Sequence, residues 1–160
     1  MVFASYSTGY KSGGFDSLTP SMKSFAPEDT TNYEIGYKAV LWDEVIANIS
    51  AYYLQLDNLQ RSVDSKAPGS SQAIPTIINE DREITGIEFD FRWHINKSVT
   101  AGVVSEIRST EFISPDYYNG EGDLVAATQT SSNAKANYTF TLDWMPDFSV
   151  GTTNLHIDYV

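Results

Sequence analysis

Residues Gly86 to Ile95 read Gly-Ile-Glu-Phe-Asp-Phe-Arg-Trp-His-Ile. Ile87, Phe89, Phe91, Trp93 and Ile95 fall on one side of an extended chain, and Glu88, Asp90, Arg92 and His94 on the other. A two-residue period is the pattern of a β-strand with one apolar and one wet face. The same strip recurs along the chain. The fold is therefore constrained to a sheet whose two surfaces meet different surroundings.

The pattern predicts seven strands: about Val2 to Lys11, Thr31 to Leu41, Ile46 to Gln60, Arg82 to Ile95, Ser98 to Phe112, Lys135 to Met145 and Thr152 to Tyr159. In the second, Tyr33, Ile35, Tyr37, Ala39 and Leu41 oppose Asn32, Glu34, Gly36 and Lys38. In the sixth, Tyr138, Phe140, Leu142 and Trp144 oppose Asn137, Thr139, Thr141 and Asp143. The third starts the same way, with Ala47, Ile49, Ala51 and Tyr53. Leu54 and Leu56 then fall on the opposite face, so its upper half has no assigned side. No helix of useful length is expected.

The connections alternate in length. Short turns lie at Asp43–Val45, Asn96–Ser98 and Pro146–Gly151, and long polar loops at Ser12–Thr30, Ser62–Asp81 and Ile113–Ala134. Strands joined by tight turns are antiparallel neighbours. The chain reads as a meander with short turns at one end and long loops at the other, as in outer-membrane barrels. Most of the strands reach the roughly 9–11 residues that cross a bilayer on a tilt. The expected fold class is all-β: part of the wall of an antiparallel up-and-down transmembrane barrel. Trp42, Trp93 and Trp144 each lie within a few residues of a short turn. Indole rings favour the headgroup level, so the three are expected to form a lower aromatic girdle. Trp42 fits that girdle by depth but lies one residue off the apolar register.

Composition removes other classes. The chain has 160 residues, a formal charge of −11 and no cysteine. An acidic surface does not replace phosphate counterions, so nucleic acid is not an expected partner. Disulfides and thiolate metal sites are excluded. No stretch approaches the roughly 20 apolar residues of a membrane helix, and Met1 to Tyr6 carry no export-signal pattern.

Four segments carry a family resemblance. Ala4-Ser-Tyr-Ser-Thr-Gly-Tyr-Lys-Ser-Gly-Gly-Phe15 is followed by Phe25-Ala-Pro-Glu-Asp-Thr-Thr-Asn-Tyr-Glu-Ile-Gly-Tyr-Lys38. Ala51-Tyr-Tyr-Leu-Gln-Leu-Asp-Asn-Leu-Gln60 and Ile84-Thr-Gly-Ile-Glu-Phe-Asp-Phe91 complete the set. Together they resemble barrel strands of TonB-dependent outer-membrane receptors. The Pro-Glu pair, polar spacer and Tyr-Glu-Ile-Gly-x-Lys are the most specific match. The resemblance implies a closed barrel of about 22 strands around a plug domain. It also implies uptake of a scarce nutrient, a ferric siderophore foremost, with energy delivered by the TonB complex through an N-terminal region. The implied partners are outer-membrane lipid, the receptor's own plug, the TonB complex and an iron chelate or other nutrient, in the bacterial outer membrane. Residues 1–160 are expected to be a partial barrel domain from its C-terminal half. Plug, energy-coupling box and terminal aromatic are not seen in the sequence, and Val160 is expected partway up an ascending strand. The competing reading is a soluble secreted β-sandwich or barrel binding carbohydrate or a small apolar ligand. Tyr33, Ile35, Phe89, Phe91, Phe140 and Leu142 would then point into a core.

No catalytic constellation stands out, so neither an enzyme nor a cofactor is expected. Glu34, Lys38, Glu88, Asp90, Arg92, His94, Glu106, Arg108, Asp143, His156 and Asp158 are expected on a wet, lumen-facing wall. His94 and His156 lack the clustered carboxylates that would make them a metal site. Gly9, Gly13 and Gly14 lack the Gly-Lys-Ser/Thr of a phosphate cradle. Ligand chemistry is expected at the outer-mouth segment Asp116-Tyr117-Tyr118-Asn119, where tyrosines can stack on a chelate or sugar; an upper girdle is the alternative role. Glu121 and Asp123 oppose a strongly anionic chelate unless Arg82, Lys66 or plug residues offset them.

Overall fold

The computed structural model describes residues 1–16, 23–66, 68–148 and 151–159. In chain order its strands are β1 (Val2–Lys11), β2 (Gly14–Phe15), β3 (Ser24–Phe25), β4 (Glu28–Leu41), β5 (Val45–Ser65), β6 (Ile74–Asn96) and β7 (Val99–Ser114). They continue with β8 (Tyr117–Tyr118), β9 (Leu124–Val125), β10 (Thr128–Trp144), β11 (Asp147–Phe148), β12 (Gly151–Thr152) and β13 (Leu155–Tyr159). Seven of them form one antiparallel sheet in the order β1-β4-β5-β6-β7-β10-β13. The pairs β2–β3, β8–β9 and β11–β12 are small hairpins inside the connections. Among the described residues the outermost strands β1 and β13 pair on one side only. Val160, expected in an ascending strand, lies outside the described residues, as do parts of the first two long loops and of the last turn.

Register fixes two opposite faces. Tyr33, Tyr53 and Thr85 align across β4, β5 and β6, as do Ile35, Ala51, Ile87 and Ile107 from β4 to β7. Ile35, Ile49, Ile87, Phe91, Phe140, Leu142 and Ile157 are all exposed on this apolar face. No second layer covers it among the described residues. On β5 the apolar stretch from Val45 to Tyr53 runs about 27 Å along the strand at about 3.4 Å per residue. That is comparable with the roughly 25 Å lipid-facing band of an outer-membrane barrel.

Five strands, β4, β5, β6, β7 and β10, are longer than the pattern predicts, chiefly at the long-loop end. The expected loop Ser62–Asp81 is largely strand, because β5 continues to Ser65 and β6 begins at Ile74. The expected loop Ile113–Ala134 contains the β8–β9 hairpin and the first residues of β10. Pro75 hid the start of β6, since proline lacks the N–H a central strand needs. Here β7 reaches only as far as Asp81, so Pro75 sits on an open edge. Ile77, of the same parity, turns its N–H to that edge and donates it to Asp16 Oδ2 at 3.2 Å. The seventh strand starts at Leu155 rather than Thr152, which belongs to the β11–β12 hairpin.

Leu54 and Leu56 do lie on the polar face, and a bulge just beyond them keeps the later residues of the strand on that face. Asp57 and Asn58 stand opposite the single residue Asp81. Asn58 has φ 55°, a conformation asparagine tolerates. Its N–H donates to Asp81 Oδ1 at 2.9 Å, and its carbonyl accepts from Asn79 Nδ2 at 2.7 Å. The inserted residue shifts parity, so Leu59, Arg61 and Val63 join Tyr52, Leu54 and Leu56 on the polar face.

Burial is concentrated in this upper extension. Val63, Ile78, Thr76, Glu80, Ser114 and Asp16 are buried there, whereas the wall contributes Val45, Ser105 and the glycines Gly36 and Gly86. Two loops pack on the β5–β6 hairpin. From the first loop, Ala26 N–H donates to Asn79 Oδ1 at 2.8 Å, while Gln60 Nε2 donates to the Ser12 and Ala26 carbonyls. From the third, Asn119 carbonyl accepts the Lys66 N–H at 3.0 Å.

On the polar face, aromatic rings lie over glycines of neighbouring strands. A Cβ at Gly86 would sit 2.5 Å from the Tyr52 ring, and one at Gly36 would sit 2.4 Å from Phe3. Gly86→Val is expected to displace Tyr52 and cost about 1–3 kcal/mol. Gly9→Ala, whose Cβ would meet Thr30 at an ordinary 3.5 Å, is expected to be near neutral. Denaturant unfolding of the intact membrane protein measures both; equal effects would contradict the packing.

Candidate functional site

The eleven charged residues expected on one wet wall share a face. Cross-strand register aligns Glu34 with Tyr52, Lys38 with Asn48 and Asp90, Glu88 with Glu106, and His94 with Thr100, Asp143 and His156. A hollow of about 560 Å³ lies on this face, lined by Glu34, Lys38, Ser50, Glu88, Asp90 and Glu106 among others. Tyr52 OH donates to Glu106 Oε1 at 2.7 Å, and Arg108 Nη1 approaches Glu106 Oε2 at 3.6 Å. Asn48 Nδ2 donates to Asp90 Oδ2 at 3.3 Å. The histidines do not converge. His94 Nδ1 lies 3.0 Å from Thr100 Oγ1, while His156 is held between Asp143 at 2.6 Å and Asp158 at 2.9 Å.

The segment Asp116–Asn119 divides by role. Asp116 and Tyr118 are exposed. Asn119 is a turn former: its Oδ1 accepts the N–H groups of Glu121 at 3.0 Å and Asp123 at 2.9 Å. Tyr117 is half-buried beneath the Arg61 guanidinium, 5.7 Å from the ring centre. Lys66 runs alongside the Glu121–Asp123 turn, with its stem 3.5 Å from where a Gly122 Cβ would stand.

Sequence reasoning missed the group beneath this segment. Glu80 is 3% exposed and bridges three strands. Its Oε2 receives Arg61 Nε at 2.8 Å and Ser114 Oγ at 2.9 Å, and its Oε1 receives Arg82 Nη2 at 2.5 Å. Burial alone would raise the Glu80 pKa. The Ser114 and Arg82 hydrogen bonds and the two guanidinium charges outweigh burial and hold the carboxyl below its ordinary value. Glu80 lay in a segment read as loop, so no pattern pointed to it.

The apolar face is bounded at both ends by aromatics. Trp93 and Trp144 share the apolar register near the short turns. Trp42, 82% exposed, occupies the turn itself with φ 54°. At the other limit Tyr6, Tyr33 and Tyr53 form a cross-strand row with ring centres 5.2 and 6.5 Å apart. Directly beyond this row the same face turns acidic with Asp29, Asp57, Glu83 and Glu111. The tyrosine-rich composition was the only sequence signal of that upper row.

An apolar band between aromatic rows, a polar reverse face and a packed extension beyond one row together define the wall of a membrane β-barrel. The family model described as TonB dependent receptor-like, beta-barrel matches residues 1–160, and the chain belongs to that family. No curated protein and no solved structure matches the chain. The family is one of outer-membrane transport receptors of Gram-negative bacteria.

The Glu80 cluster carries a signed pH dependence. A carboxyl depressed in the folded state stabilises fully above its unfolded value and loses that contribution as pH falls through the folded value. Acidification below the ordinary glutamate range is therefore expected to open the β5–β6 extension to protease. Glu80→Gln is expected to remove this step and to cleave faster already at neutral pH. Cleavage of wild type that does not change with pH across that range would contradict the assignment.

Proposed function

We propose that residues 1–160 form part of the barrel wall of a receptor that takes up a ferric siderophore or a similar scarce nutrient, using energy from the TonB complex. The match of the whole chain to the barrel of this family carries the reading. The apolar face contacts outer-membrane lipid. The polar face, with Glu34, Lys38, Glu88, Asp90, Arg92, His94, Glu106, Arg108, Asp143, His156 and Asp158, lines the lumen and meets the plug domain. The extension beyond the tyrosine row stands outside the membrane, where Asp116, Tyr117 and Tyr118 contribute to capture and Asn119 shapes the loop. TonB engages a part of the receptor other than this wall. A soluble sandwich is disfavoured because its apolar face would need a second layer.

Uptake of radiolabelled ferric catecholate and ferric hydroxamate by iron-starved cells tests the proposal. Deleting the receptor is expected to abolish uptake of at least one chelate, and deleting TonB is expected to abolish the same one. Receptor-dependent uptake that persists without TonB would remove the energy-coupling part. Loss of neither chelate would remove the siderophore part.

A further inference from the structure

The turn between β8 and β9 holds Asn119-Gly120, the sole Asn-Gly pair in the sequence. Asn-Gly is common in hairpin turns because both residues tolerate positive φ. Here neither residue adopts it; the left-handed position of this turn is Gly122, with φ 94°. A Cβ on Gly120 would meet Asp64 Cβ at an ordinary 3.5 Å. The backbone path therefore does not require glycine at position 120. What Gly120 supplies is an unhindered peptide nitrogen beside an asparagine side chain.

The turn also polarises that side chain. Asn119 Oδ1 accepts the N–H of Glu121 at 3.0 Å and that of Asp123 at 2.9 Å. The backbone is pinned around it. Asn119 N–H donates to the Asp123 carbonyl at 2.9 Å, and its own carbonyl accepts the N–H groups of Gly122 at 3.1 Å and Lys66 at 3.0 Å. The Gly120 N–H and Asn119 Nδ2 carry no hydrogen bond among the described residues. Gly120 is exposed and Asn119 half-buried, so water reaches the pair. Two N–H donors on a carboxamide oxygen draw charge from its carbon. They also stabilise the oxyanion that forms when a nucleophile adds there. The electrophile is thus activated, while the adjacent nitrogen and the leaving amide stay free.

We infer that Asn119 is a self-modification site, which deamidates through the nitrogen of Gly120. That nitrogen gives its proton to water or hydroxide and bonds to Asn119 Cγ. The Cγ–Nδ2 bond breaks, and Nδ2 leaves as ammonia with a proton taken from water. The product is a five-membered imide, which one water then opens. Opening at Cγ gives an aspartate. Opening at the main-chain carbonyl carbon gives an isoaspartate, whose backbone gains a methylene. The net exchange of ammonia for water adds about 1 Da. Either product places a new carboxylate beside Glu121 and Asp123. The isoaspartate also displaces the carbonyl that receives the Lys66 N–H, and so unties this loop from the β5–β6 hairpin. The chemistry needs no ligand and stands apart from the uptake reading.

The test incubates the full-length receptor, folded in detergent and unfolded in urea, with peptide mass spectrometry as the readout. The segment carrying Asn119 is expected to gain about 1 Da over days in the folded protein, at least as fast as in urea. The gain should quicken as pH rises, because the attacking nitrogen must lose its proton. Gly120→Ala hinders that nitrogen while the space at position 120 admits the methyl. It is expected to slow the gain about tenfold in both states. Tryptic cleavage after Lys66 should quicken as isoaspartate accumulates. Asn119 left intact in the folded receptor while it converts in urea would mean that the turn protects the amide, and would overturn the inference. A folded-state gain unaltered by Gly120→Ala would overturn it as well.

Discussion

The wall depends on one constraint: no backbone N–H or C=O can be left unpaired in hydrocarbon, where each costs several kcal/mol. An antiparallel ladder meets it by giving every central strand two neighbours. From β4 to β10 the ladder is continuous, with bulges at Leu56/Leu59, His94/Asn96 and Ser132/Lys135. The first lies beyond the tyrosine row and the last level with it, where water or side chains can satisfy the displaced groups. Asn58 illustrates this, with its N–H and carbonyl both taken by side chains of β6. The same constraint leaves β1 and β13 dependent on further strands.

Once the ladder is fixed, chemistry separates by face and by height. Within the band the apolar face needs no packing partner, because lipid supplies the contacts. The polar face packs instead through aromatics laid over glycines, which draw adjacent strands together while Tyr52 also reaches Glu106. Beyond the band the surroundings become aqueous, and the extension must bury its own core. That core is small and partly charged: Val63, Thr76 and Ile78 share a face with a Glu80 satisfied by Arg61, Arg82 and Ser114. The cluster that stabilises the extension also leaves the Arg61 and Arg82 side chains partly exposed on the same face.

The band was legible in sequence because lipid on one side and water on the other impose strict alternation, as in Ile87 to Ile95. Strand order, neighbours and short turns followed from that alternation and from loop length. The extension was not legible. There both faces are covered by loops, so Val63, Ile77 and Ile78 no longer alternate with polar residues. Pro75 reads as a breaker unless the open edge beside it is known. Leu54 and Leu56 stand on the polar face before the bulge and begin the run that Leu59, Arg61 and Val63 continue past it, so alternation alone could not assign them a side. The charged wall could be listed by parity alone, but Glu80 with Arg61 and Arg82 required the register of a segment read as loop. The Asp116–Asn119 segment was found by its composition, which could not separate the exposed Tyr118 from the turn-forming Asn119.

The two-faced wall is tested most directly by single cysteines placed along β5, since the chain contains no cysteine of its own. Positions 47 to 63 in the full-length receptor, in outer membranes, would be labelled with a water-soluble maleimide and with a lipid-bound reagent. The account expects odd positions up to Tyr53 to react from lipid and even positions from water. It expects parity to reverse across Asp57–Asn58, with positions 60 and 62 facing outward. Uniform aqueous labelling, or alternation that continues unbroken through the bulge, would contradict the wall described above.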